Sequence, residues 1–132
     1  MTSLENFTKE LQEDTQIDEL NLLQKQLQLP AIKHKWVARL IFEKQKLNRL
    51  NSKKKQLKEA VLCSFEQNGM PPGIPKSKIE RKIEASTEII KIDEEIQDSE
   101  IIIEYLEKVE TIFRSMTYDL KNIVDITRME TT

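Results

Sequence analysis

The sequence predicts an all-α protein, and three observations carry that reading. Glycine occurs twice and proline four times in 132 residues, too few for the punctuated strands of a sandwich or the phosphate loop of a nucleotide-binding α/β fold. The chain is rich in Glu, Lys, Gln, Leu and Ile, which favours helix. Its apolar residues recur in steps of three and four, the spacing that keeps side chains on one helical face. The length fits one domain. With 5% aromatic and 33% charged residues, a core built from one copy alone would be thin.

Taken in order, Ser3 is placed to cap a short amphipathic helix over residues 3–13, with Leu4, Phe7 and Leu11 on one face. Asp14, Thr15 and Gln16 interrupt it, and Asp18 can cap a second segment over 19–29. Pro30 lacks the N–H that a helix interior requires, so a kink or restart is expected there. A helix from about Pro30 to Glu66 would then run roughly 55 Å. One of its faces carries Trp36, Leu40, Leu47, Leu50, Leu57 and Val61, in a heptad-like register that Glu43 and Lys54 interrupt. Residues 67–77 hold both glycines and three of the four prolines, and read as a loop. Ser77 to Glu80 has capping-box spacing, and Ser86-Thr87 offers a second start, leaving one helix or two open.

From Glu88 to about Met129 the pattern is helical, with no glycine or proline. Ile102, Leu106, Val109, Phe113, Met116, Leu120 and Ile123 alternate steps of four and three, a coiled-coil seam. Ile89, Ile92, Ile96, Ile103 and Ile112 add a flanking stripe. Two such rods joined by a loop leave apolar surface open, and exposed apolar stripes mark association. The expectation is therefore long helices joined by a Pro/Gly loop and assembled through the C-terminal, coiled-coil-like helix into a homo-oligomeric ring or bundle, a dimeric coiled coil being the alternative. Functionally the chain divides into a basic helical region 1–66, the loop 67–77 and an oligomerisation region 78–132.

Charge is segregated. Between Lys33 and Lys58 lie ten basic residues and one acid, Glu43, a net +9 in a chain whose total is −2. Between Glu84 and Glu110 ten acids face two lysines, a net −8. Only Glu43, four residues after Arg39, is interleaved to relieve the basic stretch, so a polyanion has counterions to release there. Lys33, Lys35, Arg39, Lys46, Arg49, Lys53, Lys54, Lys55 and Lys58 are the candidate DNA contacts; docking on an acidic protein surface, as a structural coiled-coil scaffold, is the competing use. Trp36 lies in the apolar register and reads as core, Phe65 is the more open stacking candidate, and Cys63 reads as a small packing residue.

Nothing in the sequence assembles a catalytic site. His34 is the sole histidine and Cys63 the sole cysteine, too few for a metal site of the His- or Cys-rich kind and, about eight helical turns apart on one rod, unable to work together. Gly69 and Gly73 lack the Lys-Ser/Thr that completes a phosphate loop. Asp93, Glu94 and Glu95 read as a solvated acidic face. A single cysteine makes no internal disulfide, and neither a leader peptide nor a membrane span is expected. No enzyme activity and no cofactor are expected.

So assembled, the chain resembles the UvsY family of recombination mediators from T-even-type bacteriophages. Leu4 to Asp18 resembles the family's acidic N-terminal helix ending in Ile-Asp, Lys35-Trp36 its Lys-Trp pair, and Lys53-Lys54-Lys55 with Leu57-Lys58 its basic stretch. Glu88 to Asp93 resembles a helix start, and Arg114 to Asp125 the C-terminal signature. The resemblance implies a non-catalytic protein of the infected host's cytoplasm that binds single-stranded DNA as a homo-oligomeric ring, hexameric or heptameric. Its partners would be a RecA-like phage recombinase of the UvsX type and the phage single-stranded-DNA-binding protein. The family's Leu-Lys-Ala-Arg-Leu motif followed by aromatics corresponds here to Leu57 through Phe65, which keeps Lys58 and one aromatic, lacks the Arg and carries Glu59. The weight accordingly moves to Arg49, Lys53, Lys54, Lys55 and Lys58 as a cluster.

Overall fold

The computed structural model describes residues 3–18, 20–67 and 76–131, excluding the side chains of 65–67, 76, 77 and 131. Within them the chain forms four helices: α1 (Ser3–Thr15), α2 (Leu22–Gln67), α3 (Lys76–Glu84) and α4 (Thr87–Thr131). The loop expected over 67–77 falls mostly outside the described residues.

Local chemistry sets the helix ends. Thr15 turns its hydroxyl back to the Leu11 carbonyl at 2.7 Å, closing α1 two residues beyond the expected stop. α2 begins at Leu22, later than the expected residue 19, with Asn21 at its cap: the Asn21 carbonyl accepts from the Lys25 N–H at 2.8 Å, and Asp18 braces Asn21. Asp18 Oδ1 accepts from the Asn21 N–H at 2.8 Å while Asn21 Oδ1 accepts from the Asp18 N–H at 2.7 Å, a reciprocal box that satisfies two orphan donors. Between α3 and α4 the Ser86 N–H donates to the Ile83 carbonyl at 3.1 Å, and the Ile90 N–H donates to the Ser86 carbonyl at 3.0 Å. Ser86-Thr87 is therefore a true start, and the segment after the loop is two helices.

Of the kink or restart expected at Pro30, the restart does not occur; the helix runs through it. The carbonyl that loses its donor is that of Gln26, and both Gln26 and Pro30 are exposed. Water can serve that acceptor, which removes much of the usual penalty.

Two compact units make up the fold, and each takes a length of α2 and a length of α4, so neither follows the sequential division at the loop. The first unit comprises Met1–Phe42 and Ile102–Thr132. Its core holds Leu29, Trp36 and Leu40 of α2 against Leu106, Val109, Phe113, Met116 and Leu120 of α4, with Phe7, Leu11 and Ile17 packed on it. The order is antiparallel: Trp36 meets Phe113, their ring centroids 6.3 Å apart, Leu29 lies with Leu120 and Leu40 with Leu106. Phe7 closes edge-on against Trp36 at 5.8 Å.

The second unit, Glu43–Ile101, packs Leu47, Leu50 and Leu57 of α2 against Ile92 and Ile96 of α4. Ile83 of α3 and Ile89 of α4 are buried as well. Ser99 is 1% exposed and donates to Glu43 Oε1 at 2.9 Å. Lys54 reaches Asp93 at 2.5 Å. The two residues that interrupt the apolar register of α2 are thus each met by a polar group of α4, which fixes the pairing of the two helices at those levels. No described buried side-chain nitrogen or oxygen lacks a hydrogen-bond partner.

The predicted seam of α4 is filled within the chain. Leu106, Val109, Phe113, Met116 and Leu120 are between 0 and 5% exposed in the first unit's core. Ile102 is half-buried against it, and Ile123 remains 39% exposed. The stripe read as flanking is partly the same seam carried further: Ile89, Ile92 and Ile96 continue it through Ser99.

Candidate nucleic-acid interface

The ten cations between Lys33 and Lys58 are all on α2, yet they do not share one fate. Lys35 contacts Glu10 at 2.9 Å and Asp14 at 2.6 Å. Arg39 makes a fork with Glu10, Nη1 to Oε2 at 2.6 Å and Nη2 to Oε1 at 3.0 Å. Arg39 also lies over two rings, 4.8 Å from the Trp36 centroid and 5.2 Å from that of Phe7. Trp36 is 3% exposed, and its Nε1–H donates to Asp14 Oδ2 at 2.8 Å. As expected, then, Trp36 is core. Lys33 donates to the hydroxyl of Thr117.

Electrostatics follow that arrangement. The Arg39 hydrogen bond, offset in part by burial and helped by Lys35, holds the Glu10 carboxyl below its ordinary value. Burial works against the Lys35 ammonium, but hydrogen bonds to Asp14 and Glu10 outweigh it and raise its pKa above the ordinary lysine value.

In the second unit Lys54 is tied to Asp93 at 2.5 Å and Lys58 faces Glu84 at 3.8 Å. Arg49, Lys53 and Lys55 are exposed, and no ion pair holds them among the described residues. Lys46 is 55% exposed at its side chain and sits 4.0 Å from Glu43, the outer limit of an ion pair, which leaves most of its ammonium in solvent. Lys46, Arg49 and Lys53 stand at i, i+3 and i+7, so they form one strip along the helix, about 10 Å from end to end. Lys55 falls on the other edge of the packed stripe. Asn48, Ser52 and Gln56 line a shallow groove together with Arg49 and Lys53, adding uncharged donors beside the cations. Like charges at these spacings repel, and an anionic backbone laid along the strip relieves them.

Some residues lie where the sequence reading did not put them. Cys63 is exposed, not a packing residue, because Val61 and Leu62 take the half-buried positions beside it. Phe65 has a side chain outside the described residues. Reading the sequence missed the role of Glu10 and Asp14, although their i,i+4 spacing on an acidic helix matches that of Lys35 and Arg39. Among the described residues no three His, Cys, Asp or Glu side chains gather to hold a metal, and no helix is long and apolar enough to cross a membrane.

An open strip of cations on a helix is a surface that a polyanion can neutralise. Comparison with known proteins narrows the class. The profile of the family described as "Recombination, repair and ssDNA binding protein UvsY" matches residues 10–132, and the chain belongs to that family. No curated protein sequence matches. Crystal structures of the bacteriophage T4 recombination mediator protein UvsY share the fold. In lattice type IV the TM-score is 0.83 at 20% identity, covering 98% of this chain and 99% of that one. In lattice type II it is 0.81 at 22% identity over the whole of both chains, and in lattice type I 0.80 at 21% over 95% and 98%.

Proposed function

We propose that this chain is a recombination mediator that binds single-stranded DNA through α2 and promotes loading of a RecA-like phage recombinase onto DNA covered by a single-stranded-DNA-binding protein. The observation that carries the reading is the strip Lys46, Arg49 and Lys53, exposed on a helix whose other cations are largely engaged within the chain. Membership of a family described by recombination, repair and single-stranded-DNA binding supports it. Phosphate contacts from such a strip are sequence-independent, which suits a protein that must act wherever a single strand appears. Lys55 lies on the opposite side of α2 from this strip, so it can meet a strand only from another direction, whereas Lys54 ties α2 to α4 through Asp93.

Assembly is part of the proposal. A hexameric or heptameric ring would repeat the strip around one particle and raise its effective concentration for one strand. Exposed apolar residues support self-association: Leu20, Leu23 and Leu27 near the start of α2, and Ile123, Ile126 and Met129 near the end of α4, are between 39 and 98% exposed. The test is recombinase loading. Added to single-stranded DNA pre-covered with the phage single-stranded-DNA-binding protein, this chain should restore DNA-dependent ATP hydrolysis by the recombinase. No restoration, with DNA binding intact, would leave a single-stranded-DNA-binding protein that is not a mediator.

A further inference from the structure

Helix α1 is bound to α2 in the manner of a ligand. It carries four acids and one lysine, contributes no buried residue, and at 13 residues is near the length at which an isolated helix is marginal. Its attachment combines the half-buried Phe7 and Leu11 with charge. Glu10 and Asp14 meet Lys35 and Arg39 at 2.6 to 3.0 Å, the fork on Arg39 being a geometry that a phosphate also satisfies. Phe7 lies 5.2 Å from the Arg39 guanidinium and 5.8 Å from Trp36, where a base would find both a cation and an indole to stack on. A groove lined by Lys33, Trp36, Phe113 and Arg114 already reaches the same indole.

We propose that α1 is a displaceable stand-in for single-stranded DNA: its carboxylates occupy phosphate positions on Lys35 and Arg39, its Phe7 occupies a base position against Trp36, and its removal opens a second DNA site on α2. This rests on the single-stranded-DNA reading above. The competition is even in contacts, because two carboxylates leave as two phosphates arrive. The strand gains from counterion release, which an intramolecular carboxylate does not supply. Cations that the folded chain keeps covered are then available once a strand held on the open strip raises the local phosphate concentration. Until then, the covered site spares the protein non-specific capture of other anions.

The experiment is a titration of fluorescein-labelled oligothymidylate with the full chain and with Glu10→Gln/Asp14→Asn, which keeps side-chain shape and leaves an acceptor for Trp36. The double variant should bind several-fold more tightly, because Lys35 and Arg39 no longer have to be released from carboxylates before they meet phosphates. Adding Lys35→Gln/Arg39→Gln should cancel the gain. In the unmodified protein the emission of Trp36, its one tryptophan, should be quenched as DNA saturates. Unchanged or weaker binding by the double variant, a gain that survives loss of Lys35 and Arg39, or an unaltered Trp36 emission would each overturn the proposal while leaving DNA binding by the strip in place. Absence of binding by every protein would instead remove the proposed function, and this inference with it.

Discussion

Replacing Phe113 by alanine separates a seam filled within the chain from one shared between chains. Phe113 is 2% exposed, stacks at a tilt on Trp36, and sits mid-way along the buried run from Leu106 to Leu120. Removing a buried phenyl ring costs about 3–5 kcal/mol, the transfer of the ring plus the cavity left behind. Set against a typical domain stability of about 5–15 kcal/mol, that is a large share. The melting midpoint should fall by roughly 10 °C or more. The assay is urea unfolding followed by Trp36 emission, repeated across a hundredfold range of protein concentration. Because the ring packs against the chain's own α2, the destabilisation should hardly vary with concentration. An interface residue behaves otherwise, since mass action makes the stability of an assembly depend on protomer concentration. A Phe113→Ala protein that keeps its stability as a monomer but no longer associates would refute the reasoning.

Two further outcomes follow from the polar contacts. Glu43→Ala should cost about 1–3 kcal/mol by leaving the buried Ser99 hydroxyl unpaired, and Glu43→Leu combined with Ser99→Ala should recover most of it; urea midpoints of both variants check this. Acidification should weaken the α1 attachment. Glu10 titrates below its ordinary 4.5 when folded, so its contribution is present above that value and is lost as pH falls through the folded pKa. Lys35, raised above 10.5, contributes below that value and loses its contribution as pH rises through its folded pKa. In an acid titration of stability, Glu10→Gln should flatten the limb below pH 4.5; an unchanged limb would contradict the assignment.

Periodicity made much of the fold legible. The steps from Ile102 to Leu120 and from Trp36 to Val61 mark the faces that the structure buries. What periodicity could not say is which partner fills a face. A seam from Leu106 to Leu120 looks the same whether it meets another copy or the chain's own α2. Ser99 hid the continuity of that seam, because a polar residue in an apolar register reads as its end unless its acceptor, Glu43, is known. Pro30 could not be read as a break or a passage from sequence alone, because the cost of a proline depends on whether the orphaned carbonyl faces water. For the interface, the charge of α2 was plain in the sequence but its occupancy was not. Glu10 and Asp14 lie more than 20 residues before Lys35 and Arg39, so only folding reveals which cations are spent on the chain itself.

The central claim is that the open strip on α2 carries single-stranded DNA, and the most direct test is the salt dependence of binding. Fluorescence anisotropy of a labelled oligothymidylate should be followed from low to moderate salt for the unaltered chain, for Lys46→Gln/Arg49→Gln/Lys53→Gln, and for Lys54→Gln. Three phosphate contacts at about 0.7 each predict that the triple variant loses about 2 from the log-log slope, while Lys54→Gln leaves the slope unchanged. A triple variant with an unaltered slope, or an unaltered chain that fails to bind at low salt, would contradict it.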